Sequence, residues 1–117
     1  MRPSLKEIIE NFNEDRPAML RDIPTLLGAL MNEVEEAMEA EGEELGRELA
    51  DILIFVYTIA QWAGIDLESE TREKIALNHI RYPASNFQEG DYWDIRKQIK
   101  SNPEYPRLLK DFYEIEI

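Results

Sequence analysis

Apolar residues recur at helical spacing along most of the chain. The apolar run from Ile52 to Trp62, taken alone, could form a strand, but the length of the whole segment and the glycines at its ends favour a helix. Helix boundaries are marked by Ser4, Asp66, Pro24 and two glycines, Gly42 and Gly64. The predicted helices span residues 5–12, 24–41, 43–63 and 67–81, with two shorter helices at 93–100 and 106–113. The pattern therefore predicts an all-α fold, with a four-helix core followed by a short helical extension over residues 84–117.

The third predicted helix is apolar nearly all round in its second half, from Ile52 to Trp62. A helix that is apolar on every side needs partners on every side, and a small domain has few helices to supply them. We therefore expect another subunit to cover part of this helix.

Length and charge narrow the class of protein. The chain has 117 residues, which predicts one domain over residues 1–117. Its 25 acidic and 13 basic residues give a net charge of -12, which argues against unaided binding to nucleic acid or to an anionic membrane. It has no cysteine, no apolar signal core at its N-terminus and no apolar run near the ~20 residues of a membrane span. We expect a cytoplasmic protein.

Two pairs of acids lie on the predicted packing faces of the second and third helices. Glu33 and Glu36 form one pair, and Glu48 and Asp51 form the other. Residues three apart on a helix point the same way, with Cβ atoms roughly 5–6 Å apart. Acids on an apolar face cost free energy unless a cation compensates them, so a divalent cation between the two helices is predicted. The acids expected on the solvent-facing side are Glu35, Glu39, Glu41 and Glu43.

The type of ligand indicates the metal. Carboxylate oxygens without cysteine suit Mg²⁺ or Mn²⁺ better than zinc. A di-iron carboxylate bundle needs Glu-x-x-His motifs, but the single histidine, His79, follows Ala76 at that spacing. We expect His79 to be a surface or packing residue.

The fourth helix carries Lys74, Asn78 and Arg81 in one stripe, and their donors suit phosphate oxygens. Such a stripe is usually a solvated face. Beside an acidic metal site, however, it would allow a polyphosphate to be held between cation and basic residues.

These motifs resemble the MazG-like all-α nucleotide pyrophosphohydrolase superfamily, whose signature is E-E-x-x-E, a spacer, E-x-x-D and a later K-x-x-x-N-x-x-R-Y-P. Residues 30–37 are similar to the first part and residues 48–53 to the second, and the third is represented by Lys74, Asn78, Arg81, Tyr82 and Pro83. The similarity covers about residues 24–83. Asn32 replaces the first Glu of the signature, the spacer is short, and residues 84–117 have no assigned counterpart.

The resemblance implies a Mg²⁺-dependent enzyme that cleaves a nucleoside triphosphate to the monophosphate and pyrophosphate. It implies that Glu33, Glu36, Glu48 and Asp51 are the catalytic metal ligands, and that the stripe on the fourth helix contacts phosphates. It also implies a homodimer or a homotetramer.

Two other functions stay open at this point. One is the phosphoribosyl-ATP pyrophosphohydrolase of histidine biosynthesis, and the other is a catalytically silent helical module that binds nucleotide or protein. In the enzyme, Glu36 or Glu33 would position or deprotonate the attacking water. The candidates for stacking on the base are Phe12, Tyr57, Trp62 and Trp93, although each is predicted first as a core residue.

Overall fold

A computed structural model describes residues 2–107 and 110 of the chain. All regular structure in these residues is helical, so the all-α prediction is confirmed. The helices are α1 (Leu5–Glu14), α2 (Ile23–Glu39), α3 (Glu43–Ala63), α4 (Leu67–Arg81) and α5 (Tyr92–Lys100), with short 3₁₀ helices at Pro17–Met19 and Ala84–Phe87. The chain divides into two compact units, Met1–Leu67 and Glu68–Ile117.

The first unit contains α1, α2 and α3. Ser4 caps α1 as predicted, since its hydroxyl accepts a hydrogen bond from the Glu7 N–H at 3.1 Å. The helix is two residues longer than expected and continues to Glu14. Helix α1 packs against α3.

The connection between α2 and α3 differs from the prediction by two residues. Helix α2 ends at Glu39, not at Glu41, because Ala40 is already extended. Gly42 has a φ of 59° and is the N-cap of α3, so the glycine starts the next helix instead of ending the previous one. A backbone with this φ favours glycine, which has no Cβ. The resulting short connection folds α2 and α3 into a helical hairpin whose two members pack on each other.

The packed faces of this hairpin are those that the sequence predicted. On α2, Leu26 is buried and Leu30 and Ala37 are half-buried. On α3, Ile52 and Phe55 are half-buried. The two acid-bearing faces of the helices are therefore the faces that form the interior of the hairpin.

Each helix of the hairpin also has a second apolar face, which is exposed. On α2 this face is formed by Ile23, Leu27, Met31, Val34 and Met38, and on α3 by Leu45, Leu49 and Leu53. These residues recur at intervals of three and four, so each set forms one continuous stripe.

The second unit contains α4 and α5. Helix α4 ends at Arg81, as predicted, and buries Leu77. Helix α5 begins at Tyr92, one residue earlier than predicted. Asp91 is its N-cap, and the Asp91 carboxylate accepts a hydrogen bond from the Asp94 N–H at 3.0 Å. The helix predicted at residues 106–113 lies largely outside the described residues.

In the part of the chain that the structure describes, no single helix combines the length and apolar character needed to cross a membrane. By length and composition alone, helices α3 and α4 meet that criterion when they are taken together.

Candidate functional site

Three of the four predicted metal ligands converge in the α2–α3 hairpin. Glu33 and Glu36 come from α2, and Glu48 comes from the first half of α3. One carboxylate oxygen from each lies within 4.8 Å of those of the other two. This separation is small enough for one cation to contact all three side chains, since Mg²⁺ and Ca²⁺ bind oxygens at about 2.0–2.6 Å.

Two of these three carboxylates are partly buried and have an oxygen that accepts no hydrogen bond from the described residues. Glu33 and Glu48 are half-buried, and Glu36 is exposed. The Oε2 atoms of Glu33 and Glu48 are buried and have no hydrogen-bond partner among the described residues. A buried oxygen without a partner is unfavourable, and a cation is one group that can satisfy it. The donor set and its unsatisfied oxygens thus fit a metal ion.

Burial and the proximity of these acids raise the pKa values of Glu33 and Glu48. Burial raises the pKa of Glu33, and the negative charges of Glu36, Asp51 and Glu48 raise it further. Burial also raises the pKa of Glu48, again with added repulsion from Glu36 and Asp51. A raised carboxyl pKa means that the ionised form is disfavoured in the folded site. Binding of a proton or of a metal cation would therefore be favourable there.

Asp51, the fourth predicted ligand, is exposed and is not one of the three side chains that converge within 4.8 Å. Its charge nevertheless contributes to the raised pKa of both Glu33 and Glu48. It therefore lies close enough to act on the site electrostatically, and its role as a direct ligand stays a prediction. Glu35 and Glu39 are exposed, as expected for acids on the solvent-facing side of α2.

The predicted phosphate-binding stripe lies on α4 in the second unit, and its members have different surroundings. Lys74 is exposed. Asn78 is half-buried and lines a cavity of about 320 Å³ together with His79. Arg81 is buried, and its Nη2 donates hydrogen bonds to the hydroxyls of Tyr82, at 2.9 Å, and Tyr105.

The contact of Arg81 with Tyr105 was not predicted, because Tyr105 lies 24 residues away in the C-terminal extension. The Arg81 Nε is buried without a partner among the described residues. Contact of Arg81 with phosphate stays a prediction.

The aromatic candidates for base stacking are more exposed than predicted. Phe12, Trp62 and Trp93 are 46%, 49% and 68% exposed, so their assignment to the core of the chain is wrong. Tyr57 is half-buried. The error arises because a helix with apolar residues on two faces does not reveal which face its own chain covers. His79, which was predicted to be a surface or packing residue, is exposed.

A buried polar cluster between α1 and α3 was not predicted. Asn13 and Thr58 are 0% exposed, and the Asn13 Nδ2 donates to Thr58 Oγ1 at 3.0 Å and to Gln61 Oε1 at 2.9 Å. The Thr58 hydroxyl donates in turn to the Ile54 carbonyl at 2.7 Å. The available signal was the spacing of Thr58 and Gln61, which places two polar side chains on one face of an otherwise apolar helix.

Comparison of the chain with protein-family models, with curated proteins and with solved structures found no match in any of the three.

Proposed function

We propose that the chain is a Mg²⁺-dependent nucleoside triphosphate pyrophosphohydrolase of the MazG-like type, which releases a monophosphate and pyrophosphate. The observation that carries this proposal is the convergence of Glu33, Glu36 and Glu48, two of which have a buried oxygen without a hydrogen-bond partner among residues 2–107 and 110. Exposed acids are common on proteins, but half-buried acids that face one another on a helical hairpin are costly to keep. A bound cation offsets that cost.

Mg²⁺ is proposed because the converging donors are all carboxylate oxygens, with Mn²⁺ as the nearest substitute. When bound, the cation would neutralise phosphate charge and lower the pKa of nearby water. Glu36 is the exposed member of the three acids, so its carboxylate is open to solvent and suited to orient or deprotonate the attacking water. Lys74, Asn78 and Arg81 are assigned to the phosphates on the basis of the motif that they form.

We further propose that the active protein is a homo-oligomer in which a second copy covers the exposed apolar stripes of α2 and α3. These stripes hold eight large apolar residues on two adjacent helices, which is more than isolated surface residues usually provide. The stripes lie on the same two helices as the acids, so the interface would also stiffen the hairpin.

The activity is tested by incubating the full chain with Mg²⁺ and a panel of canonical and modified nucleoside triphosphates, and then measuring pyrophosphate. We expect release with at least one of them, and none when EDTA replaces Mg²⁺. Release from phosphoribosyl-ATP but from no nucleoside triphosphate would favour the histidine-pathway enzyme. Absence of pyrophosphate with every substrate would favour the catalytically silent module.

The variant Glu48→Gln should remove this activity, and Glu39→Gln is the matched control. Both changes remove one negative charge, but Glu39 lies on the exposed side of α2. Loss of activity in Glu48→Gln together with a normal rate in Glu39→Gln is the expected result. Equal rates in the two variants would contradict the proposed site.

The oligomer is tested by size-exclusion chromatography with light scattering. A double variant, Met31→Glu with Leu49→Glu, introduces charge into both exposed stripes and should give a monomer with an unchanged helical spectrum. Ile80→Glu on α4, which also replaces an exposed apolar residue, should leave the mass unchanged. A wild-type chain that is monomeric at all concentrations would refute the proposal.

A further inference from the structure

One face of α5 combines an exposed indole with three cations. Trp93, Arg96, Lys97 and Lys100 follow one another at intervals of three, one and three residues, which places them on one side of the helix. Together with Ser101 they line a cavity of about 300 Å³, and no carboxylate belongs to its described lining. The Trp93 side chain is 68% exposed, and both lysines are exposed as well. We refer to these five residues as the α5 face.

The charge of the α5 face contrasts with that of the whole chain. Acidic residues outnumber basic ones by 25 to 13, yet this face holds three of the thirteen basic residues. Within residues 2–107 and 110, none of the three forms an ion pair with a carboxylate, whereas Lys6, Arg47 and Arg72 each do. Three adjacent cations without a counter-ion repel one another, and an anion would remove that repulsion.

Arg96 is held in a fixed position by aromatic rings. Its Nη2 donates a hydrogen bond to the Tyr82 hydroxyl at 3.1 Å. Its guanidinium carbon lies 4.8 Å from the centroid of the Tyr82 ring, 5.4 Å from that of Tyr92 and 5.2 Å from that of Trp93. The Arg96 Nε is buried and has no acceptor in the described part of the chain. The guanidinium is therefore a rigid cation beside an exposed indole.

The surroundings of Tyr82 reflect the same positive charge. Burial alone would raise the pKa of Tyr82, but its hydrogen bonds with Arg96 and Tyr105 and the charges of Arg81 and Lys100 lower it instead. A tyrosine that is partly buried and still has a lowered pKa indicates a positive local potential.

A simpler explanation for the two lysines is the helix dipole, because both lie in the last turn of α5. The C-terminal end of a helix is equivalent to about half a negative charge, and a cation there contributes about 0.3–1 kcal/mol. Three full positive charges exceed half a negative charge, so the face remains cationic. The dipole also does not account for the exposure of Trp93.

We propose that the α5 face binds a nucleotide, with its phosphates on Arg96, Lys97 and Lys100 and its base stacked on Trp93. Charged donors bind phosphate oxygens, and an aromatic ring stacks on any base. This ligand site uses none of the acids in the α2–α3 hairpin and does not require a divalent ion. It is independent of the proposed hydrolysis.

A single nucleotide fits the face better than a nucleic acid strand. The cavity of about 300 Å³ is at the small end of ligand pockets. A strand also needs a continuous basic track, and a chain with a net charge of -12 repels a long polyanion.

The experiment uses the full chain in EDTA, so that metal-dependent turnover is absent. In a Trp62→Phe background, Trp93 is the remaining tryptophan, and its fluorescence reports on the α5 face. We expect saturable quenching by ATP that weakens with added salt, and a calorimetric titration should give the same affinity.

The double variant Lys97→Gln with Lys100→Gln should bind ATP at least about tenfold more weakly. The matched control is Lys6→Gln with Arg47→Gln, which changes the net charge of the chain by the same amount and should bind ATP normally. Equal weakening in both double variants would overturn the proposal, because it would indicate a general effect of charge.

Two other ligands test the chemistry of the site. Inorganic triphosphate should bind more weakly than ATP, and equal affinity would overturn the stacking of a base on Trp93. A short single-stranded oligothymidylate should also bind more weakly, and tighter binding would overturn the nucleotide in favour of nucleic acid. Glu48→Gln should bind ATP like the wild type in EDTA, so failure of this proposal and failure of the proposed hydrolysis are distinguishable.

Discussion

The stability of the protein should respond to Mg²⁺ through Glu48. In the folded chain Glu48 is half-buried, its Oε2 has no partner among the described residues, and it faces Glu33 and Glu36. Glu48→Gln keeps the size of the side chain but removes one of the three converging carboxylates. We expect the wild type to be stabilised by Mg²⁺ and the variant to lose most of that effect.

The size of the effect follows from ligand linkage. A ligand at one hundred times its Kd stabilises the folded state by about 2.7 kcal/mol. For 117 residues, an unfolding entropy of about 2.1 cal/mol/K per residue gives about 0.25 kcal/mol/K. The Tm of the wild type should therefore rise by about 11 °C.

Loss of a supporting partner of a metal ligand can weaken metal binding by about 100-fold, and loss of a direct ligand should cost at least as much. At the same Mg²⁺ concentration the variant would then be near its Kd, with a rise in Tm of about 2 °C.

The assay is thermal denaturation followed by circular dichroism, with and without Mg²⁺, at constant ionic strength. Samples treated with EDTA, which removes divalent ions, give the Tm without metal. Glu39→Gln is the control, because it makes the same chemical change on the exposed side of α2 and should keep the wild-type response. If Mg²⁺ raises the Tm of Glu48→Gln as much as that of the wild type, the ion does not bind where we propose.

Other changes test neighbouring parts of the same unit. Asp51→Asn should strongly reduce pyrophosphate release without changing the helical spectrum, and a full rate would remove Asp51 from the site. Asn13→Ala removes one buried and one partly buried hydrogen bond and leaves Thr58 and Gln61 short of a donor, so urea denaturation should show a loss of about 2–4 kcal/mol. A loss below about 0.5 kcal/mol would contradict the described packing. In EDTA, the raised pKa of Glu33 means that the contribution of this residue to stability is complete below the ordinary glutamate value of 4.5 and is lost as pH rises from there through the raised pKa. Glu33→Gln should flatten this dependence, and an identical slope in both proteins would count against the raised pKa.

The parts of the fold that the sequence predicted are those set by local spacing. The interior faces of α2 and α3, including Glu33 and Glu48, follow from helical periodicity, which needs no knowledge of the partner helix. Ser4 and Gly64 marked helix ends correctly, since caps depend on hydrogen bonds within a single turn.

The parts that could not be predicted depend on contacts between distant segments. The Asn13 cluster joins residues 45 and 48 positions apart, and Arg81 meets Tyr105 across 24 positions. The exposure of Trp62 and Trp93 also depends on which surfaces the rest of the chain covers. Periodicity identifies an apolar face, but it does not identify what packs against that face.

The three converging acids all lie on one hairpin, whose helices are joined by the short turn that ends at Gly42. Contacts between segments close in sequence form early when a chain folds, because little loop entropy has to be lost. A cation that binds this hairpin would therefore stabilise a segment that forms early in folding. The concentration of free divalent ion would then change the rate at which the chain folds as well as the amount that is folded at equilibrium.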